Sequence, residues 1–227
     1  MLQLKRNAEA VSHDWYIEPR EYERHEERRG RRHAFDVLDP RRTALVVVDM
    51  VPFFVEHNAY ALGIVPNIEK LAGALRSSGG TVACVLPSTE APPEARTEFL
   101  GPAIAETYRM SAGAGPLRDR LWHQFEVNAA DLVVEKSSAS AFFPGHCDLS
   151  ARFSEVGVDT VLVAGTVANV CCESTARDAS VLGHRVVMVA DANAAMRNQD
   201  LNATLHTIYR SFGDVRPTDE LIGLLTT

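Results

Sequence analysis

Residues 161–179, VLVAGTVANVCCESTARDA, combine a nucleophile with a backbone that can stabilise negative charge. The segment begins as an apolar, β-branched strand, turns at Gly165 and becomes helical in composition around Cys171. A thiol at a helix N-terminus lies at the positive end of the backbone dipole, which favours thiolate. Free N–H groups there can also hold an oxyanion. Cys171 is therefore a candidate nucleophile, with a buried structural cysteine as the alternative interpretation.

Two further apolar segments end in a charged side chain. Residues 43–49, TALVVVD, end in Asp49, and residues 131–136, DLVVEK, end in Lys136. Continuous apolar runs are typical of parallel strands covered on both faces, and open α/β sheets bind ligands at the carboxyl ends of such strands. Taken singly, the aspartate could cap a helix and the lysine could reach solvent. Together with Cys171, they form a plausible activated thiol. Asp49 would accept the thiol proton, and Lys136 would position the carboxylate and favour thiolate.

These motifs resemble those of the isochorismatase-like cysteine hydrolases. The resemblance runs from about Arg42 to the C-terminus and rests on three motifs in order: VVVDM followed by Phe54, VVEKSSASAFFPG, and GTVANVCCESTARDA followed by VVMVADANAA. In that family the catalytic triad is Asp, Lys and Cys, which correspond here to Asp49, Lys136 and Cys171. The motif alignment assigns the nucleophile to Cys171 and places Cys172 where the family usually has Val.

The resemblance implies hydrolysis of a small-molecule amide, ureide or lactam C–N bond through a thioester. It is to the amidohydrolase branch, which includes N-carbamoylsarcosine amidase, biuret hydrolase and streptothricin hydrolase. The Cys-Cys-Glu-Ser run and the long N-terminal segment look most similar to the streptothricin hydrolases. Isochorismatases of the family lack the cysteine and cleave a vinyl ether. A vinyl-ether hydrolase and a non-catalytic binding homologue remain as alternatives.

The family's oxyanion hole implies specific backbone amides in this chain. Ala168 stands where the family usually has Thr, and the resemblance implies a cis peptide before it, at Val167–Ala168. The amides of Ala168 and Cys171 would then form the oxyanion hole.

Three residues are candidates for substrate binding. Phe54 and Phe142 adjoin triad segments and would wall the site, with core packing as the alternative. Arg197 lies near the place where N-carbamoylsarcosine amidase carries an arginine for a substrate carboxylate, with a surface arginine as the alternative.

No metal and no cofactor are expected. Zinc-binding nicotinamidases carry Asp-x-His after the second strand, whereas residues 82–90, VACVLPSTE, contain no histidine. The eight histidines are scattered and form no zinc-type cluster.

Composition predicts a globular enzyme. The chain has 227 residues, 46% of them hydrophobic and 23% charged, and a net charge of −7, which disfavours nucleic acid or an anionic membrane as partner. No apolar run reaches a membrane-spanning length, and residues 1–16 lack a signal-peptide core. Four cysteines show no disulfide framework. We expect a cytoplasmic enzyme for a small-molecule substrate. From the family, we expect a homodimer or homotetramer.

Alternating strand and helix patterns predict an α/β fold: a doubly wound, mainly parallel six-stranded sheet with helices on both faces. The predicted strands include residues 44–49, 81–86, 132–136 and 185–190 and the strand before Cys171, with one more near Val127. Residues 1–41 are rich in charge and are predicted to be an arm that packs on the hydrolase domain, residues 42–227, or on a neighbouring subunit. Residues 87–116 exceed a normal connection and are predicted to be a lid or an oligomer arm.

Overall fold

The computed structural model describes residues 9–225. Residues 1–8 of the predicted arm and 226–227 of the predicted domain lie outside the described residues. The strands are β1 (Thr43–Val48), β2 (Thr81–Pro87), β3 (Leu132–Lys136), β4 (Thr160–Thr166), β5 (Arg185–Ala194) and β6 (Asp214–Arg216). The helices are α1 (Pro19–Arg29), α2 (Pro52–Val55), α3 (Ala59–Gly63), α4 (Val65–Ser77), α5 (Glu94–Leu100), α6 (Pro102–Ser111), α7 (Leu149–Val156), α8 (Glu173–Val181), α9 (Asn198–Ser211) and α10 (Thr218–Leu225).

The six strands form one sheet in the order β3-β2-β1-β4-β5-β6, and every neighbouring pair is parallel. The chain moves outward from β1 to β3, then returns to place β4 on the other side of β1. The strand order therefore reverses between β1 and β4, the kind of position at which doubly wound sheets bind ligands.

Side chains of β1 alternate between two hydrophobic clusters. Ala44, Val46 and Val48 belong to the cluster on one face, and Leu45 and Val47 belong to the cluster on the other. Every residue of β1 is buried. Helices thus cover both faces of the sheet, which confirms the predicted doubly wound α/β fold.

Two sequence expectations about strands need correction. No strand lies near Val127, because the chain turns there and the Asn128 amide donates to the Asp131 carboxylate at 2.7 Å. The sixth strand is instead β6, whose three residues are too short to show an alternating pattern. β5 also continues past residue 190 to Ala194, and its last residues lie beside Gly165 and Thr166 of β4.

The N-terminal segment packs on the sheet domain at several points. His25 of α1 is buried, and its Nε2 lies 3.0 Å from the carbonyl oxygen of Tyr209 in α9. His33 Nδ1 lies 2.8 Å from the buried carboxylate of Asp214 in β6. The division into an arm and a domain at residue 41 stays a prediction. Between residues 9 and 225, no helix is both long and apolar enough to cross a membrane.

Candidate active site

Asp49 follows directly on β1 in an uncommon backbone conformation. Its φ is 52°, in the left-handed region, where Asp is tolerated better than most residues. Its amide donates to the Val85 carbonyl at 2.8 Å, and its carbonyl accepts from the Val51 amide at 2.9 Å. The turn holds the side chain at the carboxyl edge of the sheet, where it is 2% exposed.

The turn that carries Cys171 begins just after Gly165, where the β4 backbone lies directly against Val48 of β1. Gly165 has a φ of 120°, and a Cβ added to it would overlap the Val48 carbonyl. After β4, residues Ala168–Cys172 form a π-helical turn that leads into α8. The amides of Val170 and Cys172 donate to the Val167 carbonyl at 3.0 and 3.4 Å.

The non-proline cis peptide in this turn joins Thr166 and Val167. The expectation of a cis peptide at Val167–Ala168 is therefore wrong by one residue. The N–H of this cis peptide belongs to Val167, directly after β4, rather than to Ala168, the first residue of the π-helical turn.

Lys136 reaches Asp49 although β2 separates their strands. Adjacent strands lie about 4.8 Å apart, so about 10 Å separates the two backbones, a distance that the long lysine side chain can span. The buried Nζ lies 2.9 Å from Asp49 Oδ2, 3.5 Å from Cys171 Sγ and 3.2 Å from the Ser138 carbonyl oxygen. The three residues that the sequence singled out therefore meet around one ammonium group.

The electrostatics favour a neutral thiol beside an ion pair. Burial and the negative charge of Asp49 raise the pKa of Cys171 to about 12, and Lys136 opposes this only in part. For Lys136, burial lowers the pKa, but Asp49 and Cys171 outweigh it and the pKa is raised. The expectation that the helix N-terminus would favour thiolate at Cys171 is thus not met, because desolvation and the adjacent carboxylate dominate.

The neighbouring cysteine has different surroundings. Cys172 is completely buried within the hydrophobic cluster on one face of the sheet, and burial raises its pKa well above the usual range. Cys171 is only partly buried and contacts Lys136. Of the two thiols, Cys171 is the one that a substrate can reach.

The three candidate substrate residues lie in different surroundings. Phe54 is half-buried on α2, shortly after Asp49, and packs edge-on against Phe53 with ring centroids 5.1 Å apart. Phe142 is 2% exposed in the core, where its ring packs against Phe153 and His184.

Arg197 is an exposed side chain, and its guanidinium makes two hydrogen bonds to Asp200, at 2.6 and 2.8 Å. The surroundings of Phe142 agree with its alternative interpretation as a core aromatic residue. Those of Arg197 agree with its alternative interpretation as a surface arginine.

A cavity of about 240 Å³ adjoins the Lys136 segment. Its lining residues are Ser138, Ala139, Ser140, Phe143, Ser174, Arg177 and Asp178. The carbonyl oxygen of Ser138 accepts a hydrogen bond from Lys136, a contact that the sequence did not predict. The polar residues that follow Lys136 are the sequence feature that could have pointed to this part of the site. Among residues 9–225, no cluster of three or more His, Cys, Asp or Glu side chains could hold a metal ion.

Comparisons with known proteins agree with this architecture. An isochorismatase domain profile matches residues 43–220. The isochorismatase family protein YwoC of Bacillus subtilis (strain 168) is 30% identical over 189 residues, which cover 82% of this chain and 95% of YwoC. The maleamate amidohydrolase of Pseudomonas putida is 28% identical over 179 residues, which cover 77% of this chain and 83% of that enzyme.

Solved structures show the same fold. A cysteine hydrolase from Pseudomonas syringae pv. phaseolicola superposes with a TM-score of 0.74 at 29% identity, over 86% of this chain and 96% of that one. Because the profile spans most of the chain and the relatives match along most of their own length, this protein belongs to the isochorismatase family of hydrolases.

Proposed function

We propose that this protein is a cysteine-dependent amidohydrolase that cleaves a small-molecule amide, ureide or lactam C–N bond. The observation that carries the proposal is the contact of one lysine nitrogen with both the Asp49 carboxylate, at 2.9 Å, and the Cys171 sulfur, at 3.5 Å. A base, a thiol and a fixed cation in one place are the parts that covalent acyl transfer requires. The maleamate amidohydrolase among the relatives supports the same bond class.

The first half-reaction makes the acyl-enzyme. Asp49 takes the proton of the Cys171 thiol as the sulfur attacks the substrate carbonyl carbon. Backbone amides of the turn, among them those of Ala168 and Cys171 expected from the sequence, hold the oxyanion that forms. The C–N bond then breaks, Asp49 returns the proton to the leaving nitrogen, and a thioester remains on Cys171.

The second half-reaction uses water in the place of the leaving amine. Asp49 takes a proton from the water as its oxygen attacks the thioester carbon. The C–S bond breaks, and the proton returns to the sulfur. Lys136 is not consumed in either half; its ammonium group donates to Asp49 Oδ2 at 2.9 Å and holds the carboxylate in place, so that Asp49 can act as the base twice.

The raised pKa of Cys171 favours general-base activation of the thiol over a thiolate that forms before substrate binds. With the pKa of Cys171 raised to about 12, few molecules hold a thiolate at neutral pH before substrate binds. The proton therefore moves to Asp49 during attack, so that the carboxylate is a general base.

The test pairs two single-cysteine variants. Ammonia or amine release is measured on a panel of amides, ureides, lactams and isochorismate with wild type, Cys171→Ala and Cys172→Ala. We expect turnover of a C–N substrate that falls by at least about 10³-fold in Cys171→Ala, because the nucleophile is gone. Cys172→Ala is the control, since it removes a neighbouring thiol that is fully buried.

Three results would reject the proposal. Full turnover in Cys171→Ala would mean that another group attacks the substrate. Turnover of isochorismate alone would support the vinyl-ether alternative, and no turnover with tight binding would support a non-catalytic homologue. The exact substrate, a homodimeric or homotetrameric state and a cytoplasmic location stay predictions.

A further inference from the structure

The N-terminal segment spans from α3 to α9 through residues 11–16, here called the strap. At one end the Val11 amide donates to the Ala59 carbonyl at 3.1 Å. A Cβ on Gly63 would overlap the Val11 carbonyl, so the strap lies directly on the α3 backbone. At the other end the Tyr16 amide donates to Asn202 Oδ1 in α9 at 2.9 Å.

His13 lies in the middle of the strap, and its two ring nitrogens have different partners. Its ring stacks on Tyr60, with centroids 3.7 Å apart and planes 7° from parallel. Nε2 accepts a hydrogen bond from the Ala195 amide at 3.1 Å, and Nδ1 lies 2.7 Å from Asn198 Oδ1. That oxygen also accepts from the Asp14 amide at 3.4 Å, which supports the assignment of oxygen to this position.

Only one form of the imidazole satisfies both bonds. An amide donor facing Nε2 requires a lone pair there, and a carbonyl-type oxygen facing Nδ1 requires a proton there. The ring must therefore be the neutral Nδ1–H tautomer. A protonated ring would direct an N–H group at the N–H group of Ala195.

Ala195 lies next to the turn that carries Cys171. It follows Ala194, whose partner in the β4–β5 ladder is Thr166, the residue before Val167. The Thr166 hydroxyl lies 3.3 Å from the Ala194 carbonyl oxygen. The Ala195 carbonyl in turn accepts from the buried side-chain amide of Asn58 at 3.1 Å. His13 and Asn58 together hold both polar groups of the Ala195 backbone.

We propose that His13 is a positioning residue of the active site, which holds the end of β5 beside the start of the Cys171 turn. This role rests on the proposed function, because it matters for turnover only if Cys171 is the nucleophile. The strap acts through Ala195 and Thr166 on the backbone that would hold the oxyanion, and it does not touch the reacting atoms.

Burial and hydrogen bonds, rather than charged neighbours, shift the pKa of His13. The packed elements carry the following ionisable groups: Asp14 and Tyr16 in the strap, His57 before α3, Tyr60 in α3, Arg185 and Asp191 in β5, Arg197 at the N-cap of α9, and Asp200, His206, Tyr209 and Arg210 in α9. Burial lowers the pKa of His13, although its bond to Asn198 opposes this. The neutral ring is therefore the prevailing form above its ordinary pKa of 6.5, and protonation sets in at a pH below that value.

Three variants distinguish a positioning role of His13 from a general contribution to folding stability. His13→Ala removes both bonds. His13→Gln keeps a side-chain oxygen that can accept from the Ala195 amide at every pH. His25→Gln is the matched control, because His25 also fixes the N-terminal segment but bonds to Tyr209, about 16 Å further along α9 than Asn198.

Two readouts need no substrate. Amide hydrogen exchange reports the Ala195 bond, and the rate of Cys171 alkylation reports the position of the turn. In His13→Ala we expect Ala195 exchange to be at least about tenfold faster and alkylation to change, with His13→Gln and His25→Gln close to wild type. On a C–N substrate, His13→Ala lowers kcat about tenfold with KM within about twofold. We expect the kcat of wild type to decrease as the pH falls below 6.5, and we expect His13→Gln to restore kcat without that decrease.

The proposal is overturned if Ala195 exchange and Cys171 alkylation in folded His13→Ala match wild type. It is also overturned if kcat falls equally in His13→Ala and His25→Gln, because that result indicates general destabilisation. If wild type hydrolyses nothing in the panel, the proposed function fails. The exchange and alkylation data then still decide whether His13 positions the turn.

Discussion

The two oxygens of the Asp49 carboxylate have different surroundings. Oδ2 accepts from Lys136 at 2.9 Å, whereas Oδ1 is buried and accepts no hydrogen bond from residues 9–225. A buried oxygen with no partner is costly and is uncommon outside functional sites. An oxygen that receives a proton during the reaction has a reason to be left open. In the proposed mechanism, Oδ1 is therefore the oxygen that is free to take the thiol proton.

Substitution of Asp49 should increase the acidity of the Cys171 thiol and at the same time decrease turnover. Asn tolerates the same left-handed backbone, so Asp49→Asn should keep the turn. Because the charge of Asp49 raises the pKa of Cys171, the variant should alkylate with iodoacetamide faster than wild type at a fixed neutral pH. Its turnover should fall by about 10²–10⁴-fold, because the base is gone.

Glu135→Gln is the control for this prediction. Glu135 precedes Lys136 on β3 but pairs with Arg120 at 2.7 Å, so its loss should leave alkylation of Cys171 near wild type. Background labelling of other thiols is measured in Cys171→Ala. Slower alkylation in Asp49→Asn would mean that the carboxylate helps to form a resting thiolate, contrary to our interpretation.

The close approach of β1 and β4 brings together Asp49 and Cys171, the proposed base and nucleophile. Their backbones are neighbours in the sheet, with Val48 paired to Gly165. Asp49 follows β1 directly, and Cys171 lies in the π-helical turn after β4. The glycine at this position has a φ of 120° and no room for a side chain against Val48. Gly165 is therefore a requirement of the strand pair and of the turn that follows it.

Gly165→Ala should destabilise the protein by about 3 kcal/mol or more, because both the backbone conformation and the space forbid a Cβ. Gly73→Ala is the matched control: Gly73 lies inside α4, and nothing lies within 4 Å of an added Cβ. That control should be neutral or stabilising by about 0.5–1 kcal/mol. Urea unfolding measures both. Equal stability of Gly165→Ala and wild type would contradict the close approach of the two strands.

The half-buried His13 and the buried His25 connect the N-terminal segment to the sheet domain. Burial lowers the pKa of His13 and of His25, and in His25 the nearby Arg29 lowers it further. Burial also lowers the pKa of His184, between α8 and β5. In the unfolded chain these groups have an ordinary pKa of 6.5, so the unfolded state binds protons first as the pH falls.

The free energy of unfolding should therefore be highest above pH 6.5 and decrease as the pH falls below that value. Urea unfolding in a pH series measures this dependence. The double variant His13→Gln/His25→Gln should flatten the decrease, since two of the contributing groups no longer titrate. A decrease of unchanged slope in the double variant would mean that other groups cause it.

Local patterns were sufficient to predict the fold class and the candidate triad. Continuous apolar runs that lead into Asp49, Lys136 and the turn of Cys171 depend on neighbouring residues only, and parallel strands bring their carboxyl ends to one edge of a sheet. The sequence by itself therefore determined the doubly wound sheet, confirmed by the structure, and the three side chains that the structure places around one ammonium group.

Tertiary structure decided what depends on distant segments and on desolvation. The location of the cis peptide and the burial of Phe142 follow from packing. The raised pKa of Cys171 requires knowledge of how much solvent the thiol loses. The bond between His13 and Ala195 joins residues 182 positions apart, and no local pattern predicts such a contact.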